Sequence, residues 1–191
     1  MKKTLLVLLA IGVIGLFSSA PALALTLGFA PSSQTINQGG TASVDIVATF
    51  DNLGEIVSAY DLDVAYDASI LTATAVTFGS MLGLSSLDVV FNSGLIDLAE
   101  VSWESDEDLA LLQGAGPITL ATLFFSGDDV RTSALSFINY GLAGNDIKGA
   151  GNVMYTPTLN DGSITVATTG VPEPATMLLF GLGLAGVAGI R

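Results

Sequence analysis

Period-two alternation of apolar and polar side chains is the feature that most limits how this chain can fold. Val44, Ile46, Ala48 and Phe50 fall on one side of an extended segment, and polar side chains occupy most of the other side. Successive side chains of a strand point to opposite faces, so the pattern predicts a strand with one buried face. A helix, with about 3.6 residues per turn, would scatter these apolar groups around its surface.

Further strand-like runs follow along the middle of the chain, separated by short segments rich in Gly, Asn and Asp. The predicted runs are 44–50, 60–66, 70–78, 87–91, 95–103, 118–125, 134–138, 153–156 and 163–167. Residues 105–114 depart from the pattern: Ser105 is a suitable N-cap, acidic residues follow it, and Gly114 can end a short helix. About nine strands with one apolar face predict an all-β, antiparallel jelly-roll sandwich of two packed sheets.

Two nearly charge-free apolar segments flank this middle and raise the mean hydropathy of the 191-residue chain to +0.67. At the amino end, two lysines precede an apolar run over 5–17, and Ala22 and Ala24 supply the small residues that a signal peptidase reads. The run is too short to cross a hydrocarbon core of about 30 Å. We therefore predict a signal peptide over residues 1–24, cleaved before Leu25; the alternative is a retained membrane anchor.

Charge is distributed as unevenly as hydropathy. Within residues 25–170, only Arg131 and Lys148 oppose 17 of the 18 acidic residues, which leaves a net charge of −15. Phosphate backbones would repel such a domain, which excludes nucleic acid as a partner. The chain has no Cys and no His, so zinc fingers, haem–His ligation and Ser–His or Cys–His catalysis are excluded as well. We predict no catalytic residue.

Three segments of the middle together resemble the cohesin family. Residues 57–71 read as an amphipathic strand, an Asp-rich turn and a Leu; residues 116–125 are similar to a later cohesin strand that ends in Phe, and 161–166 to its closing strand. The resemblance implies a cohesin-like domain over 25–167, related in shape to bacterial carbohydrate-binding modules. Cohesins of cellulosomes bind dockerin modules, so the resemblance also implies a dockerin-like partner on a separate protein.

The carboxyl end resembles the PEP-CTERM sorting signal: a Pro-Glu-Pro tripeptide, an apolar segment and a terminal basic residue. The residues concerned are Val171, Pro172, Glu173, Pro174 and Arg191, with the apolar segment over 175–190. The prolines keep the motif extended and accessible to a protease, and the apolar segment, slightly short for a full span, suits a provisional membrane anchor. The alternative is a plain C-terminal anchor.

The PEP-CTERM resemblance implies what processes the chain and where it acts. Residues 168–191 would be recognised by an exosortase, a membrane protease-transpeptidase of Gram-negative bacteria. The protein would be held transiently in the inner membrane and then released to the cell surface or extracellular matrix, in a setting of exopolysaccharide and biofilm production.

Candidate ligand-binding residues in the middle are few. Asp61, Asp63 and Asp67 alternate along one strand and are predicted to be solvated on its outer face, and Tyr66 occupies the position where an EF-hand loop requires Gly. We predict no metal site and no cofactor, with Ca²⁺ as an open alternative because two loop pairs offer oxygen ligands. These pairs are Asp128-Asp129 and Asn145-Asp146.

Sugar binding would require exposed aromatic rings on a flat face. Trp103 shares strand parity with Val101 and Ala99 and is predicted to lie in the core. The same parity argument separates the four tyrosines into two pairs. Tyr60 and Tyr66 are predicted on the apolar face, and Tyr140 and Tyr155 remain as candidates for sugar contact.

The sequence thus predicts a noncatalytic, exported surface or matrix protein whose cohesin-like domain serves adhesion or protein–protein interaction. The alternative is a carbohydrate-binding module that recognises exopolysaccharide. A coplanar set of exposed aromatic rings would favour the carbohydrate module, and an apolar sheet face with few aromatic rings would favour protein–protein interaction.

Overall fold

The computed structural model describes residues 25–168 apart from residue 143, and over this range it confirms the predicted all-β sandwich. The strands are β1 (Leu25–Ala30), β2 (Ser33–Asn37), β3 (Thr41–Phe50), β4 (Ala59–Ala65), β5 (Leu71–Phe78), β6 (Ser85–Asn92), β7 (Leu95–Ser102), β8 (Ile118–Gly127), β9 (Thr132–Ile138), β10 (Asp146–Lys148), β11 (Thr158–Leu159) and β12 (Gly162–Ala167). One helix, α1 (Asp106–Gln113), and a short 3-10 turn (Ala150–Asn152) complete the described elements. The predicted signal peptide over 1–24, the motif over 171–174 and the apolar segment over 175–190 lie outside the described residues.

Two sheets form the sandwich. The first has the order β11-β1-β3-β8-β5, and the second has the order β2-β12-β9-β4-β7-β6, with β10 paired to β4. Neighbouring strands are antiparallel except for two parallel pairs, β1 with β11 and β2 with β12. Because β1 and β2 belong to different sheets, the chain crosses from one sheet to the other immediately after its first described strand.

The core lies between the sheets and is filled by the inward side chains of both. Val44, Ile46 and Ala48 of β3 are at most 1% exposed, as their alternation predicts. Phe29 and Phe137 stack with ring centroids 4.6 Å apart. Burial of each large apolar side chain contributes about 1.5–3 kcal/mol.

The helix α1 begins and ends where the sequence predicts. The Ser105 side chain accepts a hydrogen bond from the backbone N–H of Asp108, and Gly114 ends the helix with a φ of 59°. Leu109 is fully buried. The Gln113 amide donates to the backbone oxygen of Val57 at 2.6 Å and accepts from its N–H at 2.8 Å, which fastens the helix to the segment before β4. Among the described residues no helix is long and apolar enough to span a membrane.

One predicted strand is wrong and several short ones were not predicted. Residues 153–156 form no strand; Met154 makes a single bridge with Lys148. Tyr155 turns into the core, where its hydroxyl donates to the backbone oxygen of Ile56, and Pro157 has no N–H for a ladder. The strands absent from the prediction are β1, β2, β10 and β11.

Candidate docking face

The outer side of the second sheet carries the most distinctive surface of the described domain. Inward side chains of β4, including Tyr60, Leu62 and Val64, are buried, so the alternate residues face outward. We call the outward surface of β4, β7 and β6 the acidic face. Its members are Ala59, Asp61, Asp63 and Ala65 on β4, Leu95, Asp97, Ala99 and Val101 on β7, and Ser86, Asp88, Val90 and Asn92 on β6.

Strand register concentrates carboxylates at the centre of this face. Asp63 lies directly opposite Asp97, Asp146 of β10 lies opposite Asp61, and Asp88 is one strand further out. Side chains directly opposite in an antiparallel pair are about 5 Å apart, so like charges there repel. Burial, and then the carboxylates of Asp97, Asp63, Asp146 and Asp88, raise the pKa of Asp61.

Asp97 shares this environment. Partial burial raises the pKa of Asp97, and the carboxylates of Asp63 and Asp88 raise it further. The only basic side chain beside the cluster within the described residues is Lys148, whose Nζ lies 3.5 Å from the Asp146 carboxylate. The centre of the face therefore carries five carboxyl groups against one ammonium group and is a negative surface.

Asp63 is buried, so the prediction that it is solvated on the outer face is wrong. The side-chain amides of Asn139 and Asn145 both donate to its Oδ2, at 2.8 and 2.9 Å, and leave it 8% exposed. Asp67, by contrast, is exposed as predicted and lies beyond the end of β4. Hydrogen bonds from the Ser69 hydroxyl and then its backbone N–H lower the pKa of Asp67.

The two loop pairs that kept Ca²⁺ open as an alternative are engaged in contacts of the fold. Asn145 is bound to Asp63 and Asp146 to Lys148, as described above. In the second pair, Asp128 accepts a hydrogen bond from Thr72 at 2.6 Å, and Asp129 pairs with Arg131 at 2.9 Å. Across 25–168, residue 143 aside, no three acidic side chains are grouped so as to hold a metal ion.

An apolar patch borders the acidic centre at the end of β7. Leu84, Val101 and Trp103 are 70%, 51% and 71% exposed. The backbone N–H of Trp103 donates to the oxygen of Leu84, which continues the β6–β7 ladder and places both side chains on the same side as Val101. A shallow hollow of about 300 Å³ adjoins Val101, lined partly by Asp106 and Gly151.

The prediction that Trp103 lies in the core is therefore wrong, and β7 explains why. Its inward residues are Ile96, Leu98 and Glu100, and Glu100 is 1% exposed. Glu100 points inward although it is an acidic residue. A pattern argument therefore assigns the positions in phase with Glu100 to solvent and the alternate positions, which include Trp103, to the core. Trp103 instead belongs to the outer face with Ala99 and Val101.

Further apolar side chains border the opposite end of the acidic face. Leu95 lies in the row at that end and is half-buried. Val90 of β6 and Ile138 of β9, which are 43% and 37% exposed, lie on either side of the Asp63–Asp97 pair, since they are paired with Asp97 and Asp63. The sequence reasoning singled out Asp61 and Asp63 but missed Asp88 and Asp97, whose alternation with apolar neighbours on β6 and β7 was the available signal.

The tyrosines proposed for sugar contact do not form a platform. Tyr155 is 2% exposed, and the half-buried Tyr140 donates its hydroxyl to the Tyr155 backbone oxygen. Tyr60 is buried, and Tyr66 packs edge-on against Phe125, as their parity predicts. The exposed aromatic rings among the described residues are Trp103 and Phe91, and Phe91 has the inward parity of its partner Ile96.

Solved structures similar to the described domain include cohesins. The seventh ScaB type I cohesin from Pseudobacteroides cellulosolvens is 20% identical, with a TM-score of 0.57, over 80% of this chain and 96% of that one. The third cohesin of ScaC from Acetivibrio cellulolyticus, solved in complex with the ScaB dockerin, is 18% identical, with a TM-score of 0.59, over 76% and 99%. A non-cellulosomal cohesin from Archaeoglobus fulgidus is 16% identical, with a TM-score of 0.55, over 83% and 97%. The described domain therefore has the cohesin fold.

The carboxyl end adds a second assignment. Residues 170–191 match the model of the PEP-CTERM protein-sorting motif. No curated protein sequence matches the chain. The chain thus combines a domain of cohesin-like fold with a carboxyl-terminal segment that matches the PEP-CTERM sorting motif.

Proposed function

We propose that this protein is an exported, noncatalytic interaction module whose acidic face docks a partner protein with basic side chains flanked by apolar ones. The observation that carries the proposal is the combination, on one sheet face, of clustered carboxylates with exposed apolar side chains at one end of the cluster and on either side of it. A dockerin-like module or a matrix protein fits this description. The cohesins of similar fold include several solved in complex with dockerins.

Two physical effects support protein docking at this face. The carboxylates of Asp61 and Asp97 are held close to other carboxylates in the free domain, so an approaching Lys or Arg relieves repulsion and is steered to the face. Trp103 offers a large, exposed ring beside Leu84 and Val101, and buried aromatic anchors dominate binding energies at protein interfaces.

The sorting motif supports a cell-surface setting. In this proposal an exosortase cuts at Pro172-Glu173-Pro174 after the signal peptide has directed export, and the protein passes from the inner membrane to the surface or matrix of a Gram-negative cell. A role in a biofilm or exopolysaccharide matrix follows from the same proposal, with the acidic face as the site of adhesion.

The test compares retention of matrix components by the full chain and by face variants. Immobilised protein is incubated separately with the proteins and the polysaccharides of its host's extracellular matrix. We expect the wild type to retain a matrix protein that about 0.5 M NaCl releases, because screening shortens the reach of surface charges. Asp97→Asn and Trp103→Ala should each reduce this retention at least about tenfold.

Asp161→Asn is the matched control, because Asp161 is an exposed acid in the turn before β12 and outside the acidic face. It should retain the partner as the wild type does. Equal retention by all four proteins would contradict docking at the acidic face. Retention of polysaccharide alone, lost in Trp103→Ala, would replace the proposal with the carbohydrate-binding alternative.

A further inference from the structure

A small cleft opens between the turn that follows β3 and the turn that follows α1, and none of its residues belongs to the acidic face. Residues 50–55 and 114–116 line it, and its volume is about 270 Å³. Pockets for organic ligands usually measure about 300–1,000 Å³, whereas one water takes about 30 Å³ of liquid volume. The cleft is therefore small for an organic ligand and large enough for an ion with several waters.

Glu55, one of the residues lining this cleft, has a carboxylate oxygen without a partner. The side chain is 8% exposed, and its Oε1 accepts a hydrogen bond from the Asn52 amide at 2.9 Å. Its Oε2 is shielded from water and accepts no hydrogen bond from the part of the chain that the structure describes. A buried, unpaired carboxylate oxygen is unfavourable unless a cation or a donor reaches it.

No basic side chain of the described domain neutralises Glu55. Arg131 pairs with Asp129 and Lys148 with Asp146, and these two are the only basic residues within 25–168. A cation that neutralises the Glu55 carboxylate would therefore have to come from outside the described fold.

The donors around the cleft are oxygen atoms. Asp51 supplies a second carboxylate, and Asn52, whose amide nitrogen donates to Glu55, keeps its Oδ1 as an acceptor. Gly54 and Gly114 have φ values of 86° and 59°, so both turns adopt conformations that favour glycine. Carboxylate, amide and carbonyl oxygens are the ligands of a hard cation such as Ca²⁺.

We propose that this cleft binds Ca²⁺, with Glu55 as the buried carboxylate ligand and Asp51 as the exposed one. Two carboxylates rather than three or more place the site with the weaker Ca²⁺ modules of extracellular proteins, whose dissociation constants are about 0.1–1 mM. Such a site is partly to fully occupied at millimolar Ca²⁺ outside the cell. The fold itself forms without the ion, since the core is built from apolar side chains.

The test measures the thermal unfolding of the full chain, purified in detergent and freed of divalent ions, at constant ionic strength. Addition of 5 mM CaCl₂ should raise the Tm by about 3–6 °C, and MgCl₂ should raise it less, because Mg²⁺ requires stricter octahedral geometry. Calorimetric titration with CaCl₂ gives the dissociation constant directly.

Variants separate this site from the acidic face. Glu55→Gln keeps an acceptor for Asn52 but removes the charge, and it should abolish the Ca²⁺-dependent shift of the Tm. Asp51→Asn should weaken Ca²⁺ binding, and it is the variant to test if Glu55→Gln folds poorly. Asp97→Asn should keep the full shift. No Ca²⁺-specific shift in the wild type, or a shift that Glu55→Gln retains, would overturn the proposal. Neither result bears on partner docking, because no partner is present in the assay.

Discussion

Replacing Glu100 by Gln tests whether the buried carboxyl group of Glu100, which has no cation beside it, is neutral in the folded protein. Glu100 is 1% exposed, and the hydroxyl of Tyr60 lies 2.9 Å from its Oε2 and 2.9 Å from the backbone oxygen of Leu120. The Ser85 hydroxyl donates to Glu100 Oε1 at 2.7 Å. Tyr60 has one proton, and a carbonyl oxygen can only accept. When Tyr60 donates to Leu120, its contact with Glu100 therefore needs a proton on the Glu100 carboxyl.

Burial raises the pKa of Glu100, against smaller opposing effects of the hydrogen bonds from Ser85 and Tyr60. Burial, and then the Glu100 charge, raise the pKa of Tyr60, the only titratable group that contacts Glu100 among the described residues. A raised pKa in the folded state means that the stability contributed by neutral Glu100 is complete below the unfolded pKa of about 4.3. It is lost as pH rises through the folded pKa, at about 1.4 kcal/mol for each unit of difference.

The Gln side chain has the shape of the neutral acid and does not ionise. Its amide nitrogen can donate to Tyr60, and its oxygen can accept from Ser85. We expect Glu100→Gln to match the wild type at pH 4 and to exceed it at pH 8 in the free energy of unfolding, by about 1.4 kcal/mol for each unit by which folding raises the pKa of Glu100. Urea unfolding of the full chain, followed by circular dichroism from pH 4 to 8, measures the difference.

The carboxylates of the acidic face do not affect the comparison of Glu100→Gln with the wild type. The pKa values of Asp61 and Asp97 are also raised, so these residues also make the folded state less stable as pH rises. Both residues are present in the wild type and in the variant, so their contributions cancel in the difference between the two free energies of unfolding. Asp161→Asn is the control for loss of one exposed charge. Parallel pH profiles for wild type and Glu100→Gln would refute a neutral Glu100.

Four further outcomes are expected. Gln113→Ala should cost about 2–4 kcal/mol in urea unfolding, because both backbone groups of Val57 lose a buried partner; a loss below about 0.5 kcal/mol would show that water replaces the amide. Raising NaCl from about 0.1 to 1 M shortens the Debye length from about 10 to 3 Å, so the net charge of −15 over residues 25–170 should make the Tm rise by a few degrees, and a fall would contradict self-repulsion. Replacing Pro172-Glu173-Pro174 by three alanines should trap the protein at unprocessed length in the inner membrane, as seen by immunoblot of fractions; surface display at wild-type size would favour the plain anchor. Amino-terminal sequencing of exported protein should begin at Leu25, and a start at Met1 would contradict the signal peptide.

Local signals made the central strands and the helix predictable. The alternation in β3 and the Ser105 and Gly114 caps of α1 each depend on a few consecutive residues, and the structure confirms them. Short strands such as β2 and β11 carry too few apolar residues to alternate, and their partners are distant in sequence. They form because the neighbouring strands supply backbone hydrogen-bond partners.

The acidic face was harder to predict, since it depends on register between strands. The opposition of Asp63 and Asp97, and of Asp61 and Asp146, joins residues more than thirty positions apart. Glu100 is the other source of error: its burial with Tyr60 and Ser85 inverted the inferred faces of β7 and misplaced Trp103. Pattern arguments assume that charged residues face water, and this domain breaks that assumption at several positions, Glu100 and Asp63 among them.

The last strand of the described domain also decides how the protein would carry mechanical load. β12 leads directly toward the carboxyl end and is hydrogen-bonded on both sides, parallel to β2 and antiparallel to β9. A pull along β12 shears both ladders at once, whereas a pull across an edge strand breaks bonds one after another. Since β9 is bonded to β4, which carries part of the acidic face, tension between a surface tether and a docked partner would pass through one continuous sheet.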